Sequence, residues 1–322
     1  MQATDEVEIV IVDGASTDNT KEIVEYYQQQ FPRLRYFCLN VKGGVDQDYC
    51  RAVDLAQGKY CWLFTDDDIL KPGAIQAVLA KTQHSYGLII VNAEVKNANL
   101  SKVLIHRRLK FSTNQVYRPA DQEHLFVEVA DYLSFIGCVV IKRQLWNARE
   151  KERYFGTVFV HVGVIFQSPL PEDTLVIAEP LISIRYGNAL WAPRSFEISL
   201  FKWANLIWSF PDYPDSGKLR VTPRELWRKP KTLLVFRARG SYSLQEYHNW
   251  LEPRLSSQLC RMVAKTIALF PGCVLNMLLF IYFSIFYSQP GARLVDLQNS
   301  RFYYRHFLRE LLSRVPGRSQ KR

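Results

Sequence analysis

The sequence predicts an α/β fold with a mostly parallel sheet and flanking helices, followed by a helical C-terminal region of different character. Three observations carry that expectation. Short β-branched or aromatic runs alternate with helical stretches over the first hundred residues. The strands run into loops of small, polar or acidic residues. Charge and hydropathy then change after about residue 215, near Pro211, Pro214 and Gly217.

The elements follow in order. Val7–Val12 is nearly continuous and apolar, which suits a strand buried on both faces. It runs into Asp13-Gly-Ala-Ser-Thr-Asp-Asn-Thr20, where Ser16, Thr17 or Asp18 can cap a helix starting near Thr20. Ile23, Val24 and Tyr27 give that helix one apolar side. Arg35–Leu39 reads as a second strand. Asp46–Ala56 reads as a helix closed by Gly58. Tyr60–Phe64 is a third strand, and Asp66, Asp67 and Asp68 follow it directly. Pro72-Gly73 then opens a helix over 74–82, and Leu88–Val91 is another strand. Further on, Ile136–Lys142 and Val176–Tyr186 read as strands, and 196–210 as a helix.

The Asp triplet is the sharpest feature. Three adjacent carboxylates at the C-terminal end of a strand repel one another, and a hard divalent cation such as Mn²⁺ or Mg²⁺ relieves that repulsion. A solvated acidic loop is the other reading. The six cysteines, at 38, 50, 61, 138, 260 and 273, form no C-x-x-C pair and fit a reducing compartment.

Four ordered motifs together resemble the family-2 glycosyltransferases of the GT-A fold, and most closely the abequosyltransferase-like ones. They are Val-Asp-Gly-Ala-Ser-Thr-Asp-Asn-Thr (12–20), Gly-Val-Asp-Gln-Asp-Tyr (44–49), Gly-Lys-Tyr-Cys-Trp-Leu (58–63) and the Asp triplet with Lys-Pro-Gly. The resemblance implies a nucleotide-sugar donor site. Asp13 would meet the nucleotide base, with Ser16 and Asp46 in the same site, and Asp66 would lie near the ribose. Asp67, with Asp68 beside it, would hold the metal against the donor diphosphate. The family's commoner form has Asp where this chain has Thr65. Arg51 and Lys59 are either diphosphate contacts or solvated charges. The resemblance also implies an inverting transfer, which requires a general base. No acidic residue stands between 153 and 171, so His161 is the candidate by position, with Asp131 and Glu128 in reserve; a packed histidine is the alternative. Arg185 and Trp191 are the candidates on the acceptor side.

The family usually begins with a further βα unit ahead of the Val7 strand. Without it the sheet exposes two strand edges, and poor solubility is expected.

The remainder reads differently. The formal net charge is +10, but residues 1–100 hold 9 basic and 14 acidic side chains, whereas residues 217–322 hold 19 and 5. Thr266–Ala292 contains no charge, and Val274–Tyr287 is almost wholly apolar. Pro271-Gly272 divides the run, and arginines and lysines flank it on both sides, so an in-plane or re-entrant segment fits better than a crossing. Residues 301–315 carry an apolar stripe beside Arg301, Arg305 and Arg309. The expectation is a GT-A domain over 1–215 and a basic, membrane-associated region over 216–322. The partners would be a nucleotide-sugar, a lipid-linked saccharide acceptor and an anionic membrane surface at the cytoplasmic face of a bacterial inner membrane, with peripheral or monotopic attachment. A non-catalytic nucleotide-sugar-binding remnant or scaffold is the alternative. The apolar segment and the acidic first third disfavour a nucleic-acid role.

Overall fold

The computed structural model describes residues 2–189, 191–287 and 291–305. Most of the 301–315 stripe expected from sequence, from Phe307 on, lies outside the described residues. Two compact units emerge. One takes the chain up to Val95, then His106–Arg185 and Lys202–Arg224; the other takes Lys96–Ile105, Tyr186–Phe201 and the chain from Glu225. A single cut at 215 does not describe this division.

In the first unit, β1 (Ile9–Asp13) pairs in parallel with β2 (Leu34–Cys38), with α1 (Thr20–Gln28) between them in sequence. α2 (Val45–Leu55) leads to β3 (Tyr60–Trp62), and the Asp triplet separates β3 from the short β4 (Ile69–Leu70). α3 (Ala74–Thr82) and β5 (Leu88–Asn97) follow; β6 (Val103–Ile105) belongs to the second unit, and β7 (Gln115–Tyr117), α4 (Gln122–Val129), β8 (Val139–Lys142), α5 (Arg143–Asn147), α6 (Val160–Phe166) and β9 (Thr174–Tyr186) continue the first.

The larger sheet has the order β3-β8-β5-β9-β4. Here the expectation of a mostly parallel sheet needs correction. β3 and β5 do run parallel to each other, as alternating strands and helices imply. They are not neighbours, because β8 lies between them and pairs antiparallel with both. β4 and β7 also pair antiparallel with β9. β1–β2 is the pair that runs parallel side by side. Periodicity sets the direction of a strand, whereas adjacency depends on contacts far apart in sequence.

β1 and β3 belong to separate sheets, and each pairs on one side only among the described residues. Glu8 ties their beginnings together. Its Oε1 accepts from the backbone N–H of Gln57 (2.5 Å) and Gly58 (2.8 Å), and Oε2 accepts from Arg35 Nη1 (3.3 Å). The core of this unit is β5 and β8 (Leu88, Ile89, Ile90, Val139 and Ile141 are fully buried), together with a ring cluster of Phe126, Phe166, Phe210 and Tyr213.

The helix expected over 196–210 is present but interrupted. A π-helical turn at Ile198–Lys202 joins α7 (Ser195–Glu197) to α8 (Trp203–Trp208). Up to Phe201 its rings belong to the second unit's core, where Phe196 stacks on Tyr242 at 4.8 Å and Phe201 on Trp250 at 4.7 Å. From Trp203 its side chains join the first unit, against Phe159 at 5.0 Å. α9 (Asp215–Val221) packs with α4 and α8, which carries the first unit past residue 215. The second unit continues with α10 (Pro230–Arg239), α11 (Leu244–Glu246), α12 (Gln258–Leu269), α13 (Gly272–Phe286) and α14 (Gly291–Gln298). All six cysteines are free thiols.

Candidate active site

Two loops of the first unit gather the acidic residues singled out from sequence. The first follows β1. Asp13, 6% exposed, is held on both oxygens: Oδ1 accepts from Ser16 N (2.8 Å) and Oδ2 from the Tyr36 hydroxyl (2.5 Å). Its carbonyl accepts from Ala15 N and Leu39 N, and Ala15 takes a left-handed φ of 63° to make the turn. The Ser16 hydroxyl, then Tyr36, hold the Asp13 carboxyl below its ordinary range. Tyr36 is correspondingly pushed well above the usual phenol value, chiefly by that bond.

α2 closes the floor of this loop. Asp46 and Asp48 are two residues apart, so they point to nearly opposite sides of the helix. Asp48 lodges against two glycines: a Cβ on Gly14 or on Gly43 would lie 3.3 Å from its carboxylate oxygens. Its Oδ1 is buried without a hydrogen-bond partner, and burial raises its pKa. The sequence reading passed over Asp48 and Tyr36. A second acidic residue flanked by close glycines was a usable signal for the first. A tyrosine inside a strand gave none for the second.

Asp46 has a different place from the one expected of a donor ligand. It is 5% exposed, and its oxygens accept from the backbone N–H of Val158 (2.9 Å) and Val160 (3.0 Å). It therefore staples the 156–160 loop to α2. Burial raises its pKa against the pull of those bonds.

The second loop is the Asp triplet. Asp66 and Asp67 are exposed, and Asp68 is half-buried. Asp68 is built into the loop: Oδ2 accepts from Thr65 Oγ1 (2.8 Å) and Oδ1 from the Arg185 backbone N–H (2.9 Å). Thr65 thus anchors the third carboxylate rather than adding a fourth. The Arg185 Nε donates to the Asp67 carbonyl (3.0 Å), so the end of β9 braces the triplet. Burial raises the Asp68 pKa. Tyr49, next to Asp48 on α2, donates to the Phe64 carbonyl (3.4 Å), and its pKa is raised by burial and then by the charges of Asp66, Asp68 and Asp67. Consecutive residues of one helix therefore reach the two acidic loops.

Among the described residues no three His, Cys, Asp or Glu side chains converge to hold a metal by themselves. The donor chemistry fits a hard ion that takes its remaining ligands from a diphosphate. Asp67 is an exposed carboxylate beside Asp66, while both Asp68 oxygens already accept hydrogen bonds.

His161 does not stand at an open surface. It begins α6, is 1% exposed, and its Nε2–H donates to the Leu133 carbonyl at 2.6 Å, with Nδ1 buried and unpartnered. Burial pushes its pKa down to about 4. A sealed ring offers no face to a sugar hydroxyl, so the structure corrects the general-base expectation for it. Asp131 is exposed. The next residue, Tyr132, is close enough to the triplet for the Asp68 charge to act on it, and Gly137 of the same segment accepts from the Trp62 indole (2.8 Å). Glu128 is engaged by the Tyr117 hydroxyl and His124. Arg51 and Lys59 are exposed, and Trp191, 56% exposed, belongs to the second unit. An open apolar groove of about 570 Å³, lined by Ile9, Ile11, Ile23, Val24 and Leu34, lies beside α1 and holds none of these carboxylates.

The α/β unit with acidic loops at its strand ends has the GT-A fold. A solved structure of similar fold is S. aureus TarS 1–349 in complex with UDP, with a TM-score of 0.52 and 16% identity over 95% of this chain and 83% of that one. Residues 1–136 match the model for Glycosyl transferase family 2. Abequosyltransferase RfbV of Salmonella typhimurium is 25% identical over 57% of this chain and 58% of its own length. The GalNAc(5)-diNAcBac-PP-undecaprenol beta-1,3-glucosyltransferase of Campylobacter jejuni is 28% identical over 47% of each. The chain thus spans about half the length of the curated relatives it matches.

Proposed function

We propose that the protein transfers a sugar, with inversion, from a nucleotide-sugar to a lipid-linked saccharide in the synthesis of a bacterial surface polysaccharide. The carrying observation is the pair of acidic loops reached by Asp48 and Tyr49 of one helix. Asp13, fixed by Ser16 and Tyr36, would accept from the nucleotide base. Asp66 would meet the ribose. Asp67 would hold Mn²⁺ or Mg²⁺; when bound, such an ion neutralises charge on the departing diphosphate. Arg185 and Thr65 keep the triplet in position through Asp67 and Asp68. Asp131 would take the proton of the acceptor hydroxyl as its oxygen bonds to the anomeric carbon and the bond to the diphosphate breaks. The relatives' names support the class: one transfers abequose, the other glucose onto a polyprenyl-diphosphate saccharide.

Nucleotide binding tests the reading. Thermal melting is measured with UDP, CDP, GDP, ADP and dTDP, each with and without Mn²⁺, on the wild type and on Asp67→Asn. Metal-dependent stabilisation by one diphosphate, lost in the variant, is the expected result. No shift with any of the five would overturn the donor-site assignment.

A further inference from the structure

The second unit leaves an apolar face open, and the structure shows which side of which helix carries it. α13 is sealed along one side. Asn276 is fully buried, and its Nδ2 donates to the carbonyls of Ala238 (3.1 Å) and Leu297 (2.9 Å). Phe283 packs with Ala238 and Leu297 one face-repeat further on. The other side is bare. Leu278 is 51% exposed, Ile281 47%, Ile285 67% and Phe286 70%, at i, i+3, i+7 and i+8, with no charge among them. α12 has the same division. Ala264, Ile267 and Ala268 are buried in the unit's core, while Leu259, Met262 and Leu269 are exposed. The two helices meet at Pro271–Gly272 with an 88° bend, and exposed Leu269 and Phe270 carry the apolar surface to that elbow.

We infer that the α12–α13 elbow is a monotopic membrane seat, lying in one leaflet of an anionic bilayer without crossing it. Three features choose lipid over a protein partner. Basic side chains flank the apolar strip in sequence: Arg261 and Lys265 lie on α12, Arg254 just before it, and Arg293 and Arg301 beyond α13, all exposed. Glu252, bound to His248, feels the charges of Arg261 and Lys265. The flanking charges are predominantly basic and the apolar strip is uncharged, the pattern that suits headgroups above acyl chains. The exposed strip is also aromatic at one end, with Tyr282 and Phe286, as interfacial segments are.

Two features argue against a crossing by α13. α13 has 15 residues, or about 22 Å, against a hydrocarbon core of about 30 Å. Its sealed side is bonded to α10 and α14, so lipid has access to one face only. No single helix among the described residues is long and apolar enough to cross a membrane; only the bent pair passes together. The inference stands apart from the proposed chemistry, since membrane binding requires no turnover.

The test is flotation of the full chain with phosphatidylglycerol-containing vesicles, and with phosphatidylcholine vesicles as the neutral control. The wild type floats with the anionic vesicles. The double variant Ile281→Glu/Ile285→Glu loses that partitioning by more than about tenfold. Arg261→Gln and Lys265→Gln each lower it about fivefold, and salt weakens what remains. Both apolar positions face outward, so melting of the double variant should stay within a few degrees of the wild type. A protein that stays with the soluble fraction, that floats equally well as the double variant, or that instead forms a dimer dispersed by that variant, overturns the inference.

Discussion

Residues 65–68 and residues 156–166 both gather ionisable groups, yet treat them in opposite ways. The first segment leaves Asp66 and Asp67 exposed and fixes Asp68 through Thr65 and Arg185. The second takes His161 and, through its backbone, Asp46 into the interior, where each is matched to main-chain groups. Charge near a site is therefore no guide to chemistry. What distinguishes the two is where the groups lie: at the surface in one, against buried main-chain groups in the other. The comparison yields unequal expectations for mutation.

The largest effect belongs to the open loop. Asp67→Asn should lower sugar transfer by about 10³-fold, or about 4 kcal/mol in the barrier, while melting is unchanged because the side chain is exposed. Transfer assayed with donor and acceptor in excess checks it. Unchanged turnover would remove the contrast between the segments.

The buried segment should show its effect in stability instead. His161 has a folded pKa depressed to about 4, from an ordinary value of 6.5. The unfolded chain therefore takes up the proton first as pH falls. The stability contribution is whole above pH 6.5, drains between 6.5 and 4, and amounts to at most about 3 kcal/mol. Subtracting the urea-unfolding curve of His161→Gln across that window isolates it from the carboxylates. A flat difference would mean the ring is reached by solvent and that the two segments are less distinct than described.

How much of this was legible beforehand depends on range. The strand–loop motifs around Asp13 and Asp66–Asp68 are local, and composition alone places them at strand ends. The directions of β3 and β5 also follow from local alternation. The insertion of β8 does not, because its partners lie some eighty residues back for β3 and some fifty for β5. Asp46 and Asp48 show the same limit. In sequence they are equivalent acids of one motif; helical geometry sends one to Val158 and Val160 and the other to Gly14 and Gly43. His161 was read by elimination among nearby acids, and elimination carries no information about burial. The exposed side of α13 is a middle case. Its apolarity was plain, but Asn276 decides which face is sealed, and that depends on carbonyls of α10 and α14.

Asp46 provides a smaller test of the same contrast. Asp46→Ala removes both acceptors for two enclosed N–H groups and also removes a carboxylate whose burial is unfavourable. The net loss should be about 2 kcal/mol, read as a lower urea midpoint with unaltered slope. Asp46→Asn keeps one acceptor and should recover about half of it. A loss of nucleotide binding without a loss of stability would instead put Asp46 with the open carboxylates.

Tyr36 gives the finest division, because it bonds a buried carboxylate that is also the proposed contact for the nucleotide base. Its hydroxyl donates to Asp13 Oδ2, and Asp13 is 6% exposed. In Tyr36→Phe the Asp13 pKa should rise toward its ordinary value, since one of the bonds that lower it is gone. A carboxylate with a depressed folded pKa stabilises the fold above its unfolded value of 3.8 and loses that contribution as pH falls through the folded one. The variant should therefore be less stable by about 1 kcal/mol at neutral pH, with the deficit closing on acidification. If Asp13 also binds the nucleotide base, its aim is loosened as well, and the nucleotide dissociation constant should rise by less than about tenfold. A stability deficit with unchanged nucleotide affinity would make Asp13 a purely structural acid like Asp46. Weakened affinity with the deficit would keep it among the groups that the fold orients and leaves available.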